Sequence, residues 1–462
     1  MGKATLISYT KDAERVMASA YKISRTKGTA SEVYESTLND SDGNKKITGS
    51  VMKLGHTTPL EHAFFNINLD NVTAMVEQFL IEFRLASFTI KSRRYVDFRN
   101  AGYFGADAFN QDKKITELYI NHMDSLFKKY EYFVDKGVAV EDARFVLPYS
   151  YYSNIVFSAG TRELRHIIYS MLYGRGSKYP ELKDLGEQML VQLKEISVPA
   201  FSNIEMNESH KDDKDEKLSA FLAHNNQLQN SIVTGNAQLV GYNPDSKYQI
   251  IRAAIISQGI YDEEYINEVF KDEELSKEII NVLLKTSRQR ELEQAGFNFA
   301  VNNLSLAGLT HLTRHRMQSP VIPHISHAII DNNFIVPPEL NENDKMRNIY
   351  IDTFYNNKEV YDKYFKDKLE GVYFNLSGNT LSLQTYINYR ELLSTIIPLR
   401  TCNRAQWEIR DIALDMLEQA RQADPDIFNY SGPKCYTLGI CPEKSLTCGH
   451  AREMKIKFKP SK

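Results

Sequence analysis

Two stretches of the chain alternate apolar and polar residues in the manner of a half-buried strand. They are HAFFNINLD (His62–Asp70) and GFNFAVNNL (Gly296–Leu304). Apolar residues at helical spacing run through KITELYINHMDSLFKKYEYFVDKG (Lys114–Gly137), which closes on Lys136-Gly137, a good helix stop. YINYRELLSTIIPLRTCNRAQWEIRDIALDMLEQARQ (Tyr386–Gln422) reads as a mostly continuous helical pattern with a kink or break expected at Pro398. The pattern therefore predicts an α+β protein in which helices dominate over a smaller, mainly antiparallel sheet. EMNESHKDDKDEKL (Glu205–Leu218), the richest charge run, is followed by an Asn/Gln-rich polar stretch. It reads as a solvated connection near the middle of the chain, or equally as an exposed helical face.

The two halves also resemble one another. FRLAS (Phe83–Ser87) matches HRMQS (His315–Ser319) with the shared arginine displaced by 232 residues, and TRELRHII (Thr161–Ile168) matches YRELLSTII (Tyr389–Ile397) at 228. Two similar offsets in the same order point to duplication and fusion. The expected organisation is a first domain over residues 1–204, a connection over 205–245 and a second domain over 246–462. Each copy has an ordinary domain size, and duplicated copies tend to keep their ancestor's isologous contact, so an internal pseudo-dimer is expected.

Composition narrows the function classes. With 56 basic and 59 acidic residues the net charge is only −3, so no global excess steers the chain to nucleic acid or an anionic membrane, and any anion site must be local. No apolar run approaches a membrane span, and MGKATLISYT has no leader-like apolar core, so neither insertion nor export is expected. Four cysteines in 462 residues are too few for a disulfide scaffold and suit a reducing cytoplasm. Against this background Arg314-His315-Arg316, just before PVIP, places three potentially cationic side chains together. Such a triplet is either a solvated basic turn or a grip for phosphate oxygens, which arginines hold bidentately.

The surrounding blocks favour the grip. GHTTPLEH (Gly55–His62), FRLASFTIKSRRY (Phe83–Tyr95) and ARFVLP (Ala143–Pro148) in the first half join RHR and INYRELLSTIIPLRTCNRAQWEIR (Ile387–Arg410) in the second. Together they resemble the signature elements of the flavin-dependent thymidylate synthases: G-H-x-T-P-x-E-H, R-H-R-x7-S, A-R-x-V-L-P, N-x-R-E/S-L and A-Q-W-E-I. The resemblance implies two tandem copies of that family's fold. It also implies FAD as cofactor, NADPH and methylenetetrahydrofolate as co-substrates, and dUMP methylated at carbon 5 to dTMP without a cysteine nucleophile. The family assembles as a homotetramer, so a fused chain is expected to form a homodimer, a pseudo-tetramer of four domains.

The departures from the pattern are complementary. The first half keeps His56, Thr58, Ser92, Arg94 and Arg144, but its triplet has become Glu82-Phe83-Arg84. The second keeps Arg314, His315, Arg316, Asn388 and Arg400, but holds His324 where the motif has serine and RQRELEQA where it has the G-H-x-T-P block. By resemblance, His56, Thr58, Arg314, His315, Arg316 and Asn388 bind FAD. Ser92, Arg94, Arg144, His311, Arg314 and Arg400 bind the nucleotide, and one composite site draws on both halves. A carboxylate usual before the motif serine is replaced by Ile90 and Ile322. That keeps two alternatives open: another carbon-5 modification such as hydroxymethylation, and a non-catalytic relative that binds nucleotide or flavin. Cys402, Cys435, Cys441, Cys448 and His450 are either packed side chains or a zinc set, because their spacing lacks the close C-x2-C pairs that decide the matter.

Overall fold

The structure is a computed structural model that describes residues 2–105, 112–206, 222 and 230–459. Most of the charged connection, residues 207–221 and 223–229, lies outside the described residues. The chain divides into two compact units. One comprises Met1–Leu228 with Glu339–Leu376, and the other Gln229–Pro338 with Ser377–Lys462.

Each unit is built on a four-stranded antiparallel sheet. In the first unit β1 (Lys3–Tyr9), β2 (Phe64–Thr73), β3 (Ser87–Ile90) and β4 (Tyr152–Gly160) lie in the order β1-β2-β4-β3. In the second unit β5 (Asn236–Tyr242), β6 (Gly296–Ser305), β7 (Gln318–Val321) and β8 (Thr380–Asn388) repeat it as β5-β6-β8-β7. Alternation decides which face is buried: Phe65, Ile67 and Leu69 of β2, and Phe297, Phe299 and Val301 of β6, all point into the core. Pro320 is accommodated in β7 because that strand is an edge. β5 begins inside the stretch read from sequence as connection.

The duplication reappears bond by bond. β2 shifts register between Leu69 and Val72, and β6 between Val301 and Leu304. Each irregularity contains an asparagine at φ 52°, Asn71 and Asn303. The outer edge of each sheet is covered by side chains of a long helix. Gln188 and Gln192 of the helix Pro180–Ile196 accept from Ala4 N and Leu6 N, both at 2.8 Å. In the second unit Asp415 and Gln419 of the helix Trp407–Ala423 accept from Ala237 N and Leu239 N at 3.0 and 2.6 Å. A buried carboxylate then anchors the strand-to-helix turn in each copy. Glu181 accepts from Thr73 N at 2.9 Å and Thr73 Oγ1 at 2.8 Å, and Glu408 from Ser305 N at 2.6 Å and Ser305 Oγ at 2.5 Å.

Two features differ from the pattern reading. The segment Glu339–Leu376 follows the second copy's first three strands in sequence yet completes the first unit. Its helix Asp344–Val360 packs on Lys113–Asp135, where His122 Nε2 and Asn357 Oδ1 are 2.8 Å apart and the His122 ring stacks on Phe374 at 5.2 Å. The long helical pattern after Tyr386 is also shorter and broken elsewhere. Its first three residues end β8, the helical stretch runs from Tyr389 to Arg400, and the break falls over residues 401–406 rather than at Pro398. Proline lacks the N–H that would bond four residues back, and the preceding turn, Leu392–Ile396, is widened to a π-type helix.

Candidate functional site

In the second unit the seven-residue helix Leu306–Leu312 is buried throughout and capped by Ser305, whose Oγ accepts from Gly308 N at 2.9 Å. The turn that follows separates the triplet by burial. Arg314 and Arg316 are exposed, while His315 lies beneath them at 5% exposure. Arg400 Nε donates to His315 Nε2 at 2.8 Å, and its Nη2 donates to the carbonyl of His311 at 3.1 Å, near the helix C-terminus. A guanidinium N–H can only donate, so Nε2 is the bare nitrogen and the ring proton sits on Nδ1, 3.5 Å from Glu391 Oε1. Burial, partly offset by Glu391, pushes the imidazole pKa below its ordinary value. Of the three potentially cationic side chains, His315 is thus a buried neutral brace between Arg400 and Glu391, and the exposed charge belongs to the two arginines.

Asn388, the last residue of β8, caps the next helical segment by accepting from Glu391 N at 2.9 Å, which fixes Glu391 beside His315. His311, His315, Arg400 and Asn388 thus form one connected group, joined through Glu391. His324, in the motif's serine position, accepts from Ser326 N at 3.2 Å in a local turn.

In the first unit the three nucleotide candidates also come together. Arg94 makes a two-point ion pair with Glu141, Nε to Oε1 at 2.7 Å and Nη2 to Oε2 at 3.2 Å, and its backbone N–H donates to Ser92 Oγ at 3.3 Å. Arg144 Nε donates to the Glu141 carbonyl at 2.9 Å. Arg144 is 2% exposed, and burial followed by the charge of Arg93 lowers its pKa to about 10. Sequence reasoning passed over Arg93 itself. It is buried at 5% exposure, with Nη2 3.0 Å from Glu77 Oε2. Nothing in its charge or spacing set it apart from its neighbours; only burial does.

The eroded triplet of this unit has become a packed corner. Phe83 lies against Phe79 and His166, with ring centroids 5.6 and 5.1 Å apart, and Glu82 pairs with Arg175 at 2.6 Å. His56 and Thr58 follow Gly55, whose φ of 71° ends the helix Ser41–Leu54, and His56 is exposed. They flank a cleft of about 1330 Å³ to which Gly55, Thr57, Arg162 and His166 contribute. The pairing of Arg162 with Glu61 in this unit is repeated by Arg390 with Glu293 in the second.

Among the described residues no group of three or more His, Cys, Asp or Glu is placed to hold a metal ion. All four cysteines are free thiols; burial, then the neighbouring Cys402, Cys441 and Cys448, raises the pKa of Cys435. His450 is 2.7 Å from Glu453. No helix among the described residues is long and apolar enough to cross a membrane.

Comparison with known proteins matches the thymidylate synthase complementing protein family, Thy1, to residues 5–199 and again to residues 238–426. The chain belongs to this family, in two copies. Among Thy1 relatives, the flavin-dependent thymidylate synthase of Clostridium tetani is 31% identical over 242 residues, covering 47% of this chain and 94% of its own length. That of Geobacter sulfurreducens is 28% identical over 228 residues, covering 48% and 97%. One relative thus matches about half of this chain, as a tandem Thy1 protein requires. A solved structure of the UMP/dUMP methylase PolB from Streptomyces cacaoi covers 44% of this chain and 93% of its own, at 21% identity. Its TM-score of 0.37 is too low to carry an argument.

Proposed function

We propose that this tandem Thy1 chain is a flavin-dependent thymidylate synthase that methylates carbon 5 of dUMP at one catalytic centre drawing on both copies. The observation that supports this reading is complementary preservation. The second unit keeps two exposed arginines over a braced histidine where the first has a Phe83 plug, and the first keeps the Ser92, Arg94 and Arg144 cluster where the second has His324. Neutral loss of function would not be expected to spare opposite halves of one site.

In this reading FAD binds through Arg314, Arg316, His315, Asn388, His56 and Thr58. Two exposed guanidiniums flanking a buried, uncharged ring suit the oxygens of a diphosphate. The reduced flavin supplies the hydride that completes the methyl group. NADPH is the reductant and methylenetetrahydrofolate the one-carbon donor, in a cytoplasmic homodimer of fused chains. The protein's own contribution is orientation and charge. Ser92, Arg94 and Arg144 hold the nucleotide phosphate, and Arg400, fixed by His315 and the His311 carbonyl, is aimed at the nucleotide together with His311 and Arg314. Ile90 and Ile322, apolar where the family pattern has a carboxylate, favour as a second reading a different one-carbon modification at the same carbon, such as hydroxymethylation.

The purified chain should carry flavin absorbance and form dTMP from dUMP, methylenetetrahydrofolate and NADPH. Arg314→Ala and Ser92→Ala should each abolish turnover although they lie in different copies. Absence of flavin binding would refute the enzyme reading, and flavin with a product other than dTMP would select the second reading. Full activity of either copy expressed alone would refute the composite site.

A further inference from the structure

The cluster beside Ser92 contains three guanidiniums, Arg93, Arg94 and Arg144, against two carboxylates, Glu77 and Glu141. One positive charge is left over in a place where charge is costly. Arg93 Nη1 and Arg144 Nη2 are both buried without a hydrogen-bonding partner, and so are both oxygens of Glu77, which meets Arg93 as an ion pair, Oε2 to Nη2 at 3.0 Å. The two arginines lie close enough that Arg93 is the largest charged influence on Arg144. Glu77, fully buried, pairs with Arg93, whose guanidinium carbon lies 5.7 Å from the centre of the Tyr151 ring. A buried donor without an acceptor costs about 1–3 kcal/mol, and more when the group is charged. Two such donors beside one another are the complement of an anion.

The second copy supplies an internal comparison. With the 232-residue offset that relates Arg84 to Arg316, Glu77 corresponds to Leu309 and Arg93 to Ile325, both buried apolar residues. The fold therefore does not need this ion pair; an apolar pair serves the same two positions. The charged pair occurs in the copy that keeps Ser92, Arg94 and Arg144, and is absent from the copy that has lost its serine.

We infer that Arg93 is a further anion-contacting residue of the nucleotide site, taking a phosphate oxygen together with Arg144, and that Glu77 is its positioning residue. The inference rests on the reading of that cluster as the nucleotide site. The anion reaches the two buried donors from the side of Ser92 and Arg94, which are less buried.

The test is calorimetric titration of the intact chain with dUMP and, separately, with deoxyuridine, which lacks the phosphate. The double variant Glu77→Leu with Arg93→Ile copies the apolar pair of the second unit and is expected to fold, as circular dichroism checks. It should bind dUMP about 10- to 100-fold more weakly, the usual range for a lost charged hydrogen bond, and deoxyuridine as the wild type does. Arg93→Lys, which keeps the charge but not the fork, should fall between the two. Unchanged dUMP affinity in the double variant would overturn the inference, as would an equal loss for dUMP and deoxyuridine, which would mark a purely structural pair. Wild-type protein that binds no dUMP at all would instead sink the nucleotide reading on which the inference stands.

Discussion

Replacing Arg400 with methionine keeps most of the side-chain stem and removes the guanidinium. The structure fixes what is lost: the 2.8 Å bond to His315 Nε2 and the 3.1 Å bond to the His311 carbonyl. His315 Nε2 would then be a buried acceptor without its donor, at a cost of about 1–3 kcal/mol. Taking about 2 kcal/mol as the loss of order in the turn that carries Arg314 and Arg316, flavin affinity should fall about 30-fold. The variant should also change the pH response. In the fold the imidazole pKa lies below 6.5, so the stability it contributes is fully present above that value and lost as pH falls through the folded pKa. Arg400 is one cause of the depression and Glu391 opposes it. Removing Arg400 should raise the pKa and move the loss of flavin affinity to higher pH. Flavin fluorescence titrations from pH 5 to 8 measure both effects. Affinity within twofold of wild type, with an unshifted pH profile, would refute the argument that Arg400 acts through His315.

Burial raises the pKa of the Glu181 carboxyl to about 7, against an ordinary 4.5. The stability it contributes is full below the unfolded value and falls by about 3 kcal/mol as pH rises through that window, so urea unfolding at pH 5 and 7.5 should show the drop in wild type and lose it in Glu181→Gln. Asn303 sits at φ 52°, so Asn303→Ala should cost about 1 kcal/mol in thermal unfolding while Asn303→Gly costs much less; equal losses would show that φ is not what selects asparagine there.

Much of the repeated fold was legible because strand alternation and offset motifs are local signals. Phe65, Ile67 and Leu69 announce their buried face by spacing alone, and so do their counterparts in β6. The long pattern after Tyr386 misled because helix and strand share the apolar run around Ile387, and because Pro398 can sit at the second residue of a helical segment without ending it. The triplet was found, but its division into two exposed arginines and one buried brace depends on Arg400, 85 residues away in sequence. Arg93 was missed for the opposite reason: a third basic residue beside Arg94 looks like solvated charge until its burial is known. The placement of Glu339–Leu376 in the first unit could not be read at all, since helical periodicity says that a face must be covered and not by which copy.

That placement bears on how the protein is made. The first unit is not complete until the ribosome has passed Leu376, because His122 and the aromatic side chains around it find Asn357 and Phe374 only then. Synthesis therefore cannot finish the first unit before the second copy is well under way, and the early half must wait with an apolar flank uncovered. A gene divided at the central connection would leave its first product without part of its own core. Once fused in this arrangement, the first unit depends on residues encoded within the second copy.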